Sequence, residues 1–146
     1  MKKSVSTLWV NWIIVVAALS AVLGVFLSFT PFVQQLIGPI YYNSFFTTDA
    51  YATLSSKAIQ FHRFMFGLAG AVLTSWLLTV VAIAHIPFRR GEKWAWWIIL
   101  ITLLTWFLGD SYSSVVTGFT IHAVANFSLL IAFGLPLAFT YKQFDK

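Results

Sequence analysis

Five polar side chains stand within or at the ends of apolar runs, and they are the residues of this chain best placed to do chemistry. They are His62, Arg63, Asp110, His122 and Asn126. An unpaired polar group in an apolar medium costs several kcal/mol, so such residues are expected to pair with one another or to serve a function. His122 and Asn126 are four residues apart and would share one face of a helix. We predict that the five form a polar cluster.

Arg63 and Asp110 are the two members with opposite formal charge. A carboxylate in apolar surroundings needs a strong hydrogen-bond donor, and a guanidinium can donate two parallel hydrogen bonds to it. Arg63 also begins a helical face of small residues, where a neighbouring helix could approach closely. That face continues with Gly67, Gly70, Ala71 and Thr74. We therefore predict an Arg63–Asp110 pair. Three readings stay open: the pair pins two helices, it holds a functional site, or both groups reach interfacial water separately.

His62 and His122 suggest two further kinds of chemistry. Two histidines on facing helices at one depth could ligate a b-type haem. Histidines could also carry protons, because imidazole titrates near neutral pH. The chain has no cysteine and only four acidic residues, which excludes thiolate sites and multi-carboxylate metal sites. It has no HExxH motif, no GxGxxG before a helix and no nucleophile elbow. We predict no catalytic residue and no metal site.

The elements that must position these residues are four apolar runs. The chain is 60% hydrophobic and only 9% charged, whereas a soluble domain carries roughly 25% charged residues. Each run has about the 20 residues that cross a bilayer as a helix, and lipid permits only helices or closed barrels. Alternating strand segments of a barrel are missing. We predict one membrane domain over 1–146, with helices over about 8–29, 60–86, 94–113 and 119–141.

The distribution of Lys and Arg predicts the orientation. Seven basic residues fall before the first helix, between the second and third, or after the fourth. Only Lys57 and Arg63 fall at the opposite ends. Since cytoplasmic loops are rich in Lys and Arg, both termini are predicted to be cytoplasmic. The net charge of +5 reflects these flanking positions and forms no patch for nucleic acid, so a nucleic-acid partner is excluded.

The longest connection, 30–58, is predicted to be an extracytoplasmic loop after the first helix. It contains Pro31, Gly38 and Pro39, yet it is too aromatic for a disordered linker. We expect it to lie at the membrane interface or to fold over the helices as a cap. The residues predicted to form that cap are Tyr41, Tyr42, Phe45 and Phe46.

The stretch from Phe61 to Leu137 resembles a group of small bacterial membrane proteins for which we know of no activity. The resemblance depends on Phe61-His62-Arg63-Phe64 followed by Gly67 to Ala71, on Pro87 to Trp97, and on Trp106-Phe107 with Asp110 and Asn126. It implies four spans in the bacterial inner membrane. It implies no activity and transfers no catalytic residue.

The predicted fold is all-α, a polytopic, antiparallel four-helix membrane bundle. The leading functional hypothesis is a non-enzymatic binding or accessory subunit that holds a small apolar or amphipathic ligand, or a membrane-protein partner, near the outer face. One alternative is an oligomeric proton or ion pathway through His62, Asp110 and His122, because four helices would need a homo-oligomer to conduct. The other is a haem b-binding or other membrane redox protein.

Overall fold

A computed structural model describes residues 5–46 and 50–144, with only the backbone at residue 45. Over these residues the chain is all-helical, which confirms the predicted class. Five α-helices carry the architecture. Their bounds are α1 Thr7–Phe29, α2 Pro31–Phe45, α3 Ser56–Ile83, α4 Lys93–Val116 and α5 Thr120–Thr140.

Four of the helical segments are long and apolar enough to cross a membrane. They are Thr7–Phe29, Ser56–Phe88, Lys93–Val116 and Thr120–Gln143, and each has at least 23 residues. Their exposed side chains include large apolar groups that water would solvate poorly, such as Leu19, Val72 and Leu108. These observations support the prediction of a multi-pass membrane protein. At 15 residues, α2 is shorter than a span.

The connection after 30 differs from a plain loop. It contains α2 and a 3₁₀ turn, Ala50–Thr53, before α3 begins at Ser56. Pro31 occupies the first turn of α2, where its missing N–H costs nothing because that donor has no intrahelical acceptor. The prediction noted proline and glycine in this segment and missed the helix that contains them.

Proline and glycine shape the two short connections. The α-helix α3 ends at Ile83 and continues as a π-helical turn, Ala84–Phe88, which contains Pro87. A wider turn fits proline, because proline has no N–H and its ring clashes with the carbonyl four residues earlier. Gly91 and Gly118 then turn the chain with φ of 73° and 80°, values that favour glycine.

The described chain divides into two compact units. The first comprises residues 5–19 and 77–144, and the second comprises residues 20–76. In the first unit, α4 and α5 pack along their length, and the Trp96 Nε1 donates to the Leu137 carbonyl at 2.9 Å. The Arg89 Nη2 donates to the Asn11 Oδ1 at 3.0 Å, which ties the first helix to the turn after α3.

In the second unit, α1 and α3 approach closely at two glycines. A Cβ on Gly70 would lie 2.5 Å from the Gly24 carbonyl oxygen, and a Cβ on Gly24 would lie 2.9 Å from the Gly70 oxygen. Hydroxyl groups flank this contact. The Ser28 Oγ lies 3.1 Å from the Gly67 carbonyl oxygen, and the Thr74 Oγ1, which donates to the Gly70 carbonyl at 2.8 Å, lies 3.3 Å from the Ala21 carbonyl oxygen. The predicted small-residue face of α3 therefore receives another helix, and that helix is α1.

Candidate functional site

The five residues of the predicted polar cluster divide between the two units. Asp110, His122 and Asn126 belong to the first unit, whereas His62 and Arg63 belong to the second. The Arg63–Asp110 pair and a single five-residue cluster therefore stay predictions. Each unit contains a polar site of its own.

The site in the first unit, which we call the Asp110 cluster, consists of Asp110, His122 and Asn126. One carboxylate oxygen, Asp110 Oδ2, accepts from the His122 Nε2 and from the Asn126 Nδ2, both at 3.0 Å. Asn126 is buried with 2% of its surface exposed, while the side chains of Asp110 and His122 are 35% and 26% exposed. The cluster thus has a fixed buried end and an accessible end that carries a carboxylate and an imidazole.

Local structure places these three residues together. Asp110 lies in the last turns of α4, and His122 lies in the first turn of α5. The turn at Gly118 joins the helices, and the Phe119 N–H donates to the Ser114 carbonyl at 2.7 Å to close it. Helical spacing then puts His122 and Asn126 on the face that meets α4.

Neighbouring groups complete the Asp110 cluster. The Asn126 Nδ2 also lies 3.4 Å from the Ser111 Oγ, a weaker contact than its bond to the carboxylate. The Phe119 ring stacks on the His122 imidazole, with centroids 5.7 Å apart and planes 16° apart. Phe119 was not predicted as a site residue. Its position three residues before His122 across a helix start is a local signal that could have indicated it.

The site in the second unit, which we call the His62 ring cluster, consists of Tyr42, Tyr51, His62 and Phe66. The imidazole of His62 lies 5.4, 5.8 and 4.5 Å from the ring centroids of Tyr42, Tyr51 and Phe66. Because Gly38 has no side chain, α2 can lie against Tyr51 and His62. The sequence prediction named Tyr42 and His62 but missed Tyr51, Phe66 and Gly38.

The aromatic residues predicted to cap the molecule have definite places in the second unit. The Tyr41 ring meets the edge of Phe66 with centroids 5.7 Å apart, and the Tyr42 and Phe46 rings lie 5.0 Å apart. The side chain of Phe45 lies outside the described part of the chain. Tyr41 and Tyr42 therefore join α2 to α3, through Phe66 and His62.

Two nitrogen atoms of neighbouring residues on α3 are buried without a hydrogen-bond partner among the described residues. They are the His62 Nδ1 and the Arg63 Nε. A buried polar atom without a partner costs about 1–3 kcal/mol. The His62 Nδ1 lies within the His62 ring cluster.

Haem ligation by His62 and His122 stays a prediction, and each histidine has contacts of its own. The His122 Nε2 is engaged by the Asp110 carboxylate, so ligation through that atom would break the bond. The imidazole of His62 is packed among three aromatic rings, and its Nδ1 is buried. Within the described residues, no three His, Cys, Asp or Glu side chains are grouped so that they could hold a metal ion.

Comparison with models of protein families, with curated proteins and with solved structures gave no match for this chain.

A substitution at Gly38 should show how tightly the His62 ring cluster is packed. A Cβ there would lie 2.9 Å from Tyr51 Cε2 and 3.2 Å from His62 Cε1, so Gly38→Val should push the rings apart. Aromatic rings shift the resonances of protons above or beside them. We expect the His62 Hε1 resonance, assigned by its loss in His62→Gln, to move toward its value in an unstructured peptide. Gly109→Val is the control, since a Cβ at Gly109 has no neighbour within 4 Å. An unchanged His62 resonance in Gly38→Val would contradict this packing.

Proposed function

We propose that this protein is a non-enzymatic binding or accessory subunit of the bacterial inner membrane, which holds an amphipathic ligand at the Asp110 cluster. In this proposal the four long helices run antiparallel across the bilayer and both termini are cytoplasmic. The excess of Lys and Arg at one set of helix ends supports that orientation. The ligand site then lies near the outer face.

The observation that carries the proposal is the carboxylate of Asp110, held by two donors and still partly exposed. His122 and Asn126 both donate to Oδ2 at 3.0 Å, so the acceptor is oriented before any ligand arrives. Preorganisation of this kind favours recognition because little conformational freedom is lost on binding. A cationic or hydrogen-bond-donating head group is the natural complement of this acceptor.

The surface beside the cluster favours a ligand with an apolar body. Tyr112 is 71% exposed and Val115, Val116 and Ile121 are each more than half exposed, so the helix surfaces around the turn are largely apolar. A polar acceptor beside such a surface suits a molecule with a donor head and a hydrocarbon tail. Lipid-like amines and alcohols have that chemistry.

The test is native mass spectrometry of protein extracted gently from membranes, followed by identification of the bound molecules. We expect one defined amphipath on the wild-type protein and on Ser113→Ala, which removes an exposed hydroxyl from the same helix. In Asp110→Asn the occupancy should fall about tenfold or more, because a hydrogen bond to a charged group contributes about 1.5–3 kcal/mol. Two results would contradict the proposal. One is wild-type protein with no bound molecule, and the other is equal occupancy in Asp110→Asn with an unchanged melting temperature.

The same cluster supports a second candidate, an oligomeric proton pathway. A carboxylate and an imidazole joined at 3.0 Å, both partly exposed, can pass a proton between them. Proton flux into liposomes after a pH jump distinguishes the two functions. Flux that is present in the wild type and abolished in His122→Gln would favour the pathway, and its absence at high protein density would favour the binding protein.

A further inference from the structure

The helix α2 turns a row of large apolar side chains outward. Phe32, Leu36 and Ile40 are 72%, 60% and 56% exposed, and they are four residues apart, so they line one side of the helix. The same helix contains no charged residue. Gln35 and Ser44 are exposed beside this row, but the large exposed side chains are apolar, whereas a helix that caps a protein in water turns a polar side outward.

The opposite side of α2 is held within its unit by specific contacts. Gln34, only 6% exposed, donates from Nε2 to the Leu27 carbonyl at 2.6 Å near the end of α1. Gly38 lies against Tyr51 and His62, and Tyr41 meets Phe66. Because these contacts hold one side of α2 against its unit, the apolar row on the other side cannot turn inward without breaking them.

The apolar row continues a surface that already belongs to a spanning helix. Phe26 and Phe29 of α1 are 47% and 79% exposed, and only Thr30 separates α1 from α2. Leaving a large apolar side chain in water instead of burying it is unfavourable. Lipid that covers the last turn of α1 would cover this row at the same time.

The length of α2 decides how it meets the bilayer. Fifteen residues at about 1.5 Å per residue give a rod of roughly 22 Å, too short for a hydrocarbon core of about 30 Å. Tyr41 and Tyr42 lie near its C-terminal end, and tyrosine favours the boundary between acyl chains and head groups. These features fit a helix that enters the membrane surface without crossing it.

We propose that α2 is an interfacial membrane helix whose Phe32, Leu36 and Ile40 side chains pack against the acyl chains of the bilayer. This selects the membrane interface over a water-facing cap. The inference is independent of the ligand proposed for the Asp110 cluster. It also places the His62 ring cluster directly beneath a lipid-covered helix, since Gly38 joins the two.

The chain has no cysteine, so single-cysteine variants can carry one spin label each. Leu36→Cys and Ile40→Cys are the test positions. Leu68→Cys, half exposed on α3, is the lipid reference, and Lys57→Cys, an exposed charged position, is the water reference. The labelled proteins are reconstituted in phosphatidylethanolamine–phosphatidylglycerol vesicles, and each label's collision rates with oxygen and with nickel–EDDA are measured.

Oxygen concentrates in the acyl region and nickel–EDDA stays in water. We expect the oxygen-to-nickel ratio at positions 36 and 40 to match that at 68 and to exceed that at 57 severalfold. Nickel accessibility like that of Lys57→Cys would show a water-facing helix and overturn the proposal. Low accessibility to both reagents would also overturn it, because the row would then be covered by protein, such as a second copy of the chain. Labels at these exposed positions should leave the melting temperature of the protein unchanged, which confirms that each variant is folded.

Discussion

Gly70→Ala is expected to destabilise the protein by about 1–3 kcal/mol, the usual cost of forcing an extra carbon into a filled interface. The new Cβ would lie 2.5 Å from the Gly24 carbonyl oxygen and 2.9 Å from Leu27 Cβ. The first of these atoms is backbone, which cannot rotate away, so α1 and α3 would have to separate. Separation would also weaken the contacts of the Ser28 and Thr74 hydroxyls with carbonyl oxygens across the interface. Reversible unfolding in detergent micelles, followed by circular dichroism, measures the loss.

Two glycines on the same chain are matched controls for Gly70. A Cβ at Gly67 would lie 3.8 Å from the Ser28 carbonyl oxygen, an ordinary contact, and a Cβ at Gly109 would meet nothing within 4 Å. Gly67→Ala and Gly109→Ala should therefore be neutral or stabilising by up to about 1 kcal/mol, because alanine is the better helix former. If Gly70→Ala unfolds no more easily than these controls, the close approach of α1 and α3 is wrong.

Asp110→Ala is expected to lower the free energy of unfolding by about 1–3 kcal/mol for each buried group that loses its hydrogen-bond partner. The Asn126 amide would suffer most, since it is 2% exposed and would keep only the longer 3.4 Å contact with Ser111. The partly exposed His122 can turn toward other acceptors and should contribute less. Asp110→Asn keeps one carbonyl acceptor and should lose less stability than Asp110→Ala.

A double substitution separates a lost partner from a general loss of packing. In Asp110→Ala/Asn126→Leu the unsatisfied amide is removed as well, and replacing both partners with apolar groups is close to neutral. We expect the double variant to be more stable than the sum of the two single changes predicts, by about 0.5–3 kcal/mol. Strict additivity of the three unfolding free energies would show that the 3.0 Å bond contributes nothing.

Some features of the molecule follow from local sequence alone. That four helices are long and apolar enough to cross a membrane depends on the length of each apolar run against the thickness of a bilayer, and no distant contact alters that comparison. The turns at Gly91 and Gly118 follow from the conformational freedom of single residues. The shared face of His122 and Asn126 follows from the helical repeat. These features involve residues within a few positions of one another.

The partners of the polar and small residues were decided by tertiary structure. The small-residue face of α3 could be predicted to receive a helix, but the register that sets Gly70 against Gly24 arises from two segments 46 residues apart. Of the rings around His62, Phe66 lies four residues away on the same helix, which the helical repeat indicates. Tyr42 and Tyr51 come from α2 and from a 3₁₀ turn, whose approach to His62 no local pattern indicates. The helix within 30–58 was not predicted from the sequence, because Gly38 and Pro39 indicate a loop unless contacts with neighbouring segments stabilise the helix. Local spacing determines which residues can share a face, and packing between distant segments determines what that face meets.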